Sequence, residues 1–380
     1  MKPIKQLLVF TLLCFSLLNC TTKGGNELKT TLKDALKDKF LIGAAINDAQ
    51  ASGKDTLSCK IITQHFNSIT AENCMKSEVI QPKEGVFDFT QADRFVDFGM
   101  KNNMHIHGHV LIWHSQAPAW FFADEKGNDV SRDVLIERMK KHISTLVERY
   151  KGKVKSWDVV NEAIMDDGSW RQSKFYTIIG EDYIRLAFEF AHQADPDAVL
   201  IYNDYSMAHE GRRNTVVKMV QNLQKQGVKI DEIGMQGHLN MTFPPVEAFE
   251  KSLAAFANLG VKVAISELDL TVLPWPQQDN NSADVSLNYE YQKQMNPYPD
   301  GMPDSVAAVW TNRYNDFFRL FLKHKDAISR VTLWGVTDNQ TWRNNWPIQG
   351  RSDYPLLFDR NYQPKAIVKR IIDMADLDIK

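Results

Sequence analysis

Two glutamates in this 380-residue chain stand where acid–base chemistry is plausible. Glu162 closes the run Trp157-Asp158-Val159-Val160-Asn161, and Glu267 sits near the end of Ala264-Ile265-Ser266-Glu267-Leu268-Asp269-Leu270. A lone glutamate at the end of a strand is ordinarily a salt bridge or a helix cap. Two at matching strand ends, each inside an apolar run, point elsewhere. Paired carboxylates across a cleft are the equipment of glycosidic-bond hydrolysis. One gives a proton to the departing oxygen, and the other, ionised, stabilises or attacks the anomeric carbon.

Other groups could work beside them. In His105-Ile106-His107-Gly108-His109-Val110-Leu111-Ile112-Trp113-His114, strand alternation puts His105, His107, His109, Leu111 and Trp113 on one face. Three histidines on one face invite a metal. Spaced along a single strand, however, they occupy successive layers rather than converging, so His109 and Trp113 are expected at the mouth as hydrogen-bonding and stacking groups, without a metal. Gln236 and His238 lie two apart and point the same way; His238 could contact Glu267, with Asp269 on its far side. Trp334 and Trp342 lie at and just after the last apolar run, where flat aromatic faces could stack on sugar rings.

These residues need a scaffold that brings distant segments to one mouth. Strand-like runs are predicted at 41–46, 66–70, 105–113, 154–160, 199–205, 232–239, 261–270 and 331–336. Amphipathic helices alternate with them. In 131–150, Leu135, Met139, Ile143, Leu146 and Tyr150 recur at spacings of three and four, as do Trp310, Tyr314, Phe317, Phe318 and Phe321 further on. Pro196 after Asp195 ends another helix. Eight alternations with no linker or repeat predict an α/β fold, a single-domain (β/α)8 TIM barrel. The alternative, an open doubly wound sheet, usually begins with a glycine-rich turn, and no GxGxxG is present. Glu162 and Glu267 are 105 residues apart, three β–α units, which places them across the same mouth.

The bulk numbers fit a globular enzyme or binding domain: 43% hydrophobic and 24% charged residues, with a formal net charge of −2. That balance offers no basic field for nucleic acid. Residues 1–19, with Lys2 and Lys5 before an apolar stretch, read as a signal peptide. Leu17-Leu18-Asn19-Cys20 resembles a lipobox, which makes Cys20 a lipidated first residue and membrane contact a matter of that anchor alone. An exported protein is expected either way, anchored at the outer membrane or periplasmic face or else secreted. Residues 20–27 form the anchor and tether, and 28–380 the catalytic domain. Cys59 and Cys74 are either bridged or two buried thiols.

Taken in order, the motifs resemble glycoside hydrolase family 10, the endo-1,4-β-xylanases. GVKVAISELDL (260–270) is similar to that family's nucleophile signature and WDVVNEA to its acid/base segment. TAENCMK (70–76), GHVLIWHSQAP and YNDY are similar to its strand-two, strand-three and strand-five motifs. The resemblance implies Glu162 as general acid/base and Glu267 as nucleophile in a retaining double displacement. Asn161 would bind the 2-hydroxyl, and His238 and Asp269 would support Glu267. Glu72, Asn73, Lys76, His109, Trp113, Gln236, Trp334 and Trp342 would line the glycone subsites. It implies xylan and xylo-oligosaccharides as partners, a monomer, and no cofactor. Cys74 and Ser206 depart from the family's pattern. The stretch 271–304, with Trp275, Tyr289, Tyr291 and Tyr298, is long for a βα loop and is read as shaping the leaving-group side. A cellulase or mannanase on the same barrel, and a non-catalytic glycan-binding lipoprotein, are the rival readings.

Overall fold

A computed structural model describes residues 30–275 and 293–377. The leader, Cys20, the tether, Tyr289 and Tyr291 lie outside these residues.

The strands are β1 (Leu41–Ile46), β2 (Ser68–Ala71), β3 (His105–Gly108), β4 (Ile112–Trp113), β5 (Ser156–Asn161), β6 (Val199–Asp204), β7 (Glu232–Met235), β8 (His238–Asn240), β9 (Lys262–Thr271) and β10 (Ile328–Leu333). Neighbours run parallel in the order β1-β2-β3-β5-β6-β7-β9-β10, and β10 closes onto β1 through Leu41↔Arg330 and Ala44↔Leu333. β4 and β8 add short continuations that pair with β5 and β9. This is the predicted single-domain (β/α)8 barrel.

Two predicted strands are broken. The run 105–113 divides at His109–Leu111 into β3 and β4, so its alternation does not carry through: Leu111 is buried in the core, and its N–H donates to the Asp158 carbonyl. The run 232–239 divides at Gln236-Gly237, where Gly237 takes a φ of +80°, a conformation that costs glycine least. Other bounds shift as well, two of them because the lower barrel interior is polar. His105, His107 and Arg330 bond to Ser156 there, His107 pairs with Asp158, and Glu232 faces Arg330 electrostatically, so strand starts at Ser156 and Ile328 carry residues that do not read as apolar. β10 ends at Leu333 rather than 336, and Phe66 caps a helix instead of opening β2.

The outer helices form as their periodicity requires. Ser131 caps helix Arg132–Arg149 by accepting from the Val134 N–H, and the helix buries Leu135, Met139, Ile143 and Leu146. Helix Asp304–Lys323 buries Trp310, Tyr314, Phe317, Phe318 and Phe321, and helix Asp182–Ala194 stops at Asp195 before Pro196. Cys59 and Cys74 are free: the Cys59 thiol donates to the Gln50 carbonyl at 3.1 Å, and Cys74 is buried in the core.

Candidate active site

The predicted residues gather at the C-terminal ends of the strands, where a parallel barrel opens its loops. Glu162 follows β5 directly. Its Oε2 accepts from Trp113 Nε1 at 2.9 Å, and its Oε1 from Gln236 Nε2 at 3.1 Å and Asn161 Nδ2 at 3.2 Å. Glu267, within β9, accepts at Oε1 from Asn203 Nδ2 at 2.8 Å, while its Oε2 lies 3.2 Å from His238 Nε2. A chain of amides joins the two carboxylates. Asn203 and Gln236 both donate to Asn161 Oδ1, at 3.1 and 3.2 Å.

The expected line behind Glu267 is present. His238 Nδ1 is 3.0 Å from Asp269 Oδ1, whose carboxylate also accepts from Arg343 Nε and Nη2 at 2.9 and 2.8 Å and from Trp342 Nε1 at 2.9 Å. Burial alone would push the His238 pKa down. The Asp269 charge and hydrogen bond, helped by Glu267, outweigh it and raise His238 to about 9. Burial likewise works against the Asp269 carboxylate, but the Arg343 and His238 charges hold its pKa well below the usual range. Glu267 therefore faces an imidazolium at neutral pH.

Lys76 is buried at the mouth, donating at 2.8 Å to both Asn73 Oδ1 and Gln116 Oε1, with its ammonium 5.1 Å from the centre of the Trp113 ring. Burial lowers its pKa, while Glu267, Glu72 and Glu162 pull the other way. Burial raises Glu72, opposed by Lys76 and Asn73. Trp334 packs edge-on against His109, centroids 5.2 Å apart, and His109 Nδ1 is 2.8 Å from Asp158 Oδ2. His109 is buried, like Gln236 and Glu267, with the Trp113 ring 6.2 Å away. His105 and His107 lie deeper, both on the Ser156 hydroxyl, and burial pushes them down to about 3 and about 4. Aromatic surface continues outward from Trp342, which stacks on Trp346 at 5.1 Å; Trp346 meets the exposed Trp275 at 5.2 Å. Of the departures, Cys74 is in the core, and Ser206 lines a small surface pocket with Gln236 and His238. Neither bonds to a catalytic-pair carboxylate.

Several working residues escaped the sequence reading. Asn203 holds Glu267 and belongs to the YNDY motif, so its signal was present. Gly234 makes room for it, since a Cβ there would stand 2.2 Å from Asn203 Oδ1. Gln116 lies in the GHVLIWHSQAP run. Arg343 had no local signal beyond its place beside Trp342, and Trp346 none beyond its type.

The comparisons agree with this geometry. The family model for glycosyl hydrolase family 10 matches residues 31–374. An endo-1,4-β-xylanase A of Xylanibacter ruminicola is 48% identical over 366 residues, 96% of this chain and 99% of that protein. An endo-1,4-β-xylanase of Geobacillus stearothermophilus is 39% identical over 346 residues, 90% and 98% of the two chains. Among solved structures, a family 10 endoxylanase retrieved from a sugarcane soil metagenome superposes with a TM-score of 0.85 at 45% identity, covering 92% of this chain and all of that one. With the barrel, the site and these relatives in agreement, the chain belongs to glycosyl hydrolase family 10.

Proposed function

We propose that this chain is a retaining endo-1,4-β-xylanase, with Glu267 as nucleophile and Glu162 as general acid/base. The observation that carries the reading is the pair of carboxylates on β5 and β9, each held by its own donors and joined through Asn161, Asn203 and Gln236. Xylan follows from the relatives' activity. A largely uncharged polysaccharide also suits a mouth built from Trp113, Trp334 and Trp342 and from amide and lysine donors.

In the first step the Glu267 carboxylate attacks the anomeric carbon and the bond to the leaving sugar breaks. Its oxygen takes the proton carried by Glu162. In the second, Glu162 removes a proton from water, the water oxygen attacks the same carbon, and Glu267 is released. The charged His238 and the Asn203 amide each face one oxygen of the nucleophile and hold its carboxylate in place. Asn161, with an amide already turned into the mouth, is suited to the 2-hydroxyl. Glu72, Asn73, Lys76 and Gln236 supply polar contacts to the glycone sugars.

Residues 28–380 act as one catalytic unit and as a monomer. Export, with lipidation at Cys20, follows from the leader sequence; palmitate labelling that persists in a Cys20→Ala variant would contradict the anchor. The test of function is release of reducing sugar by residues 21–380 from xylan, cellulose and mannan in parallel, beside Glu267→Gln. Release from xylan, abolished in the variant, is expected. Release from mannan but not xylan would overturn the substrate, and full activity in the variant would overturn the mechanism.

A further inference from the structure

Glu162 leaves β5 at a φ of +58°, in the left-handed region that residues bearing a Cβ avoid. Such a conformation persists only where the surroundings over-determine it. Here they do. The Glu162 N–H donates to the Asn203 carbonyl at 2.9 Å, the Ala163 N–H to the Tyr202 hydroxyl at 3.2 Å, and the Ile164 N–H to Asp204 Oδ2 at 3.4 Å. On the acceptor side, the Glu162 carbonyl takes Arg171 Nε at 2.7 Å and the Ala163 carbonyl takes the Arg171 N–H at 2.8 Å. Three consecutive residues of β6 and one arginine therefore satisfy the whole turn.

Ordinary strand pairing does not account for this. The β5–β6 ladder ends at Asn161↔Asn203, and beyond it two side chains take the place of backbone partners. Those side chains are themselves fixed. Tyr202 donates its hydroxyl to Asp204 Oδ2 at 2.7 Å, and Asp204 Oδ1 accepts from the Tyr205 N–H at 2.9 Å and lies 3.5 Å from Arg212 Nη1. Arg171 Nη2 donates to the Tyr205 hydroxyl at 2.7 Å. Tyr202, Asp204 and Arg212 are wholly buried. Burial pushes Asp204 up to about 7, with Arg212 opposing and Glu162 adding to the rise. A buried ion pair of this kind rarely repays its desolvation in stability alone. Something other than stability has to explain why it sits under this turn.

We propose that Tyr202, Asp204 and Arg171 are positioning residues that hold the Glu162 turn in its left-handed conformation and so aim its carboxyl group at the leaving oxygen, a reading that rests on the acid/base role of Glu162. The nucleophile is held by Asn203 and His238 instead, so loosening the clamp through Tyr202 or Arg171 misdirects proton donation while sparing the attack. The defect must then scale with how much the leaving group needs a proton. A dinitrophenolate departs without one, and a phenolate or a sugar does not.

The test is kcat/KM on a series of aryl β-xylobiosides, from dinitrophenyl to phenyl, for the wild type, Tyr202→Phe, Arg171→Met and Glu162→Ala. kcat/KM reports the bond-breaking half of the reaction. For Tyr202→Phe the expected loss is within about twofold on the dinitrophenyl substrate and roughly ten- to hundredfold on the phenyl one, a fraction of what general acid catalysis supplies. Glu162→Ala should show the same trend more steeply. A steep Glu162→Ala with a uniform loss in Tyr202→Phe would overturn the clamp and leave the acid/base assignment standing. A uniform loss in Glu162→Ala would overturn the acid/base assignment itself. Should Tyr202→Phe fail to fold, Arg171→Met decides by the same split: leaving-group dependence supports the clamp and uniform loss overturns it.

Discussion

Asp269→Asn should separate the charge on His238 from the packing around it. In the native site the Asp269 carboxylate meets His238 at 3.0 Å and the Arg343 guanidinium at 2.8 Å. His238 rises from 6.5 to about 9 against the effect of burial, which corresponds to an interaction on the order of 3 kcal/mol favouring the imidazolium. Asp269 supplies the larger share and Glu267 the rest. Because the folded value lies above the unfolded one, this stability is fully present below about pH 6.5 and is lost as pH rises through 9. Asparagine keeps the shape and removes the charge, leaving Arg343 buried without its partner, a loss of about 3–5 kcal/mol at neutral pH. Urea unfolding of both proteins from pH 6 to pH 10 is the assay. The stability gap should narrow by about 2 kcal/mol over that range as the wild type surrenders its His238 contribution. A gap that stays constant with pH would refute the claim that Asp269 holds His238 charged.

Three further outcomes follow from the same geometry. Lys76→Met removes a charged donor shared by Asn73 and Gln116, so kcat/KM on xylo-oligosaccharides should fall about ten- to hundredfold, mainly through KM; a loss confined to kcat would contradict a role in binding. Trp346→Ala interrupts the aromatic path from Trp342 to Trp275 and should raise KM for long xylo-oligosaccharides about threefold to tenfold while leaving that for an aryl xylobioside unchanged, as measured by initial rates. Ser206 adopts a φ of +45°, where asparagine is better tolerated, so Ser206→Asn should stabilise the fold by about 0.5 kcal/mol in denaturant unfolding.

Much of this was legible in the chain because a parallel barrel imposes a simple grammar. Apolar runs separated by amphipathic helices identified the eight strands, and a carboxylate at a strand's end is by that fact at the mouth. His238 and Asp269 could be paired with Glu267 because neighbouring strands place them so. Elsewhere the grammar misleads. The apolar residues from Val110 to Ile112 continue a strand pattern straight through the break before β4, and a single Gly237 splits β7 from β8 without disturbing the alternation around it. Polar residues such as Arg330, buried inside the barrel, disguised where β10 begins. Partners such as Arg343 for Asp269, or Tyr202 for Ala163, are set by three-dimensional approach across 74 and 39 residues and have no signature in spacing.

Retaining hydrolysis requires Glu267 to form a covalent glycosyl-enzyme intermediate with help from Glu162. Incubation with an aryl xylobioside fluorinated at the 2-position of the reacting sugar, then proteolysis and peptide mass spectrometry, tests it directly. One xylobiosyl adduct is expected on the peptide spanning 260–270, localised to Glu267. Turnover without any adduct, or an adduct on another carboxylate, would contradict it.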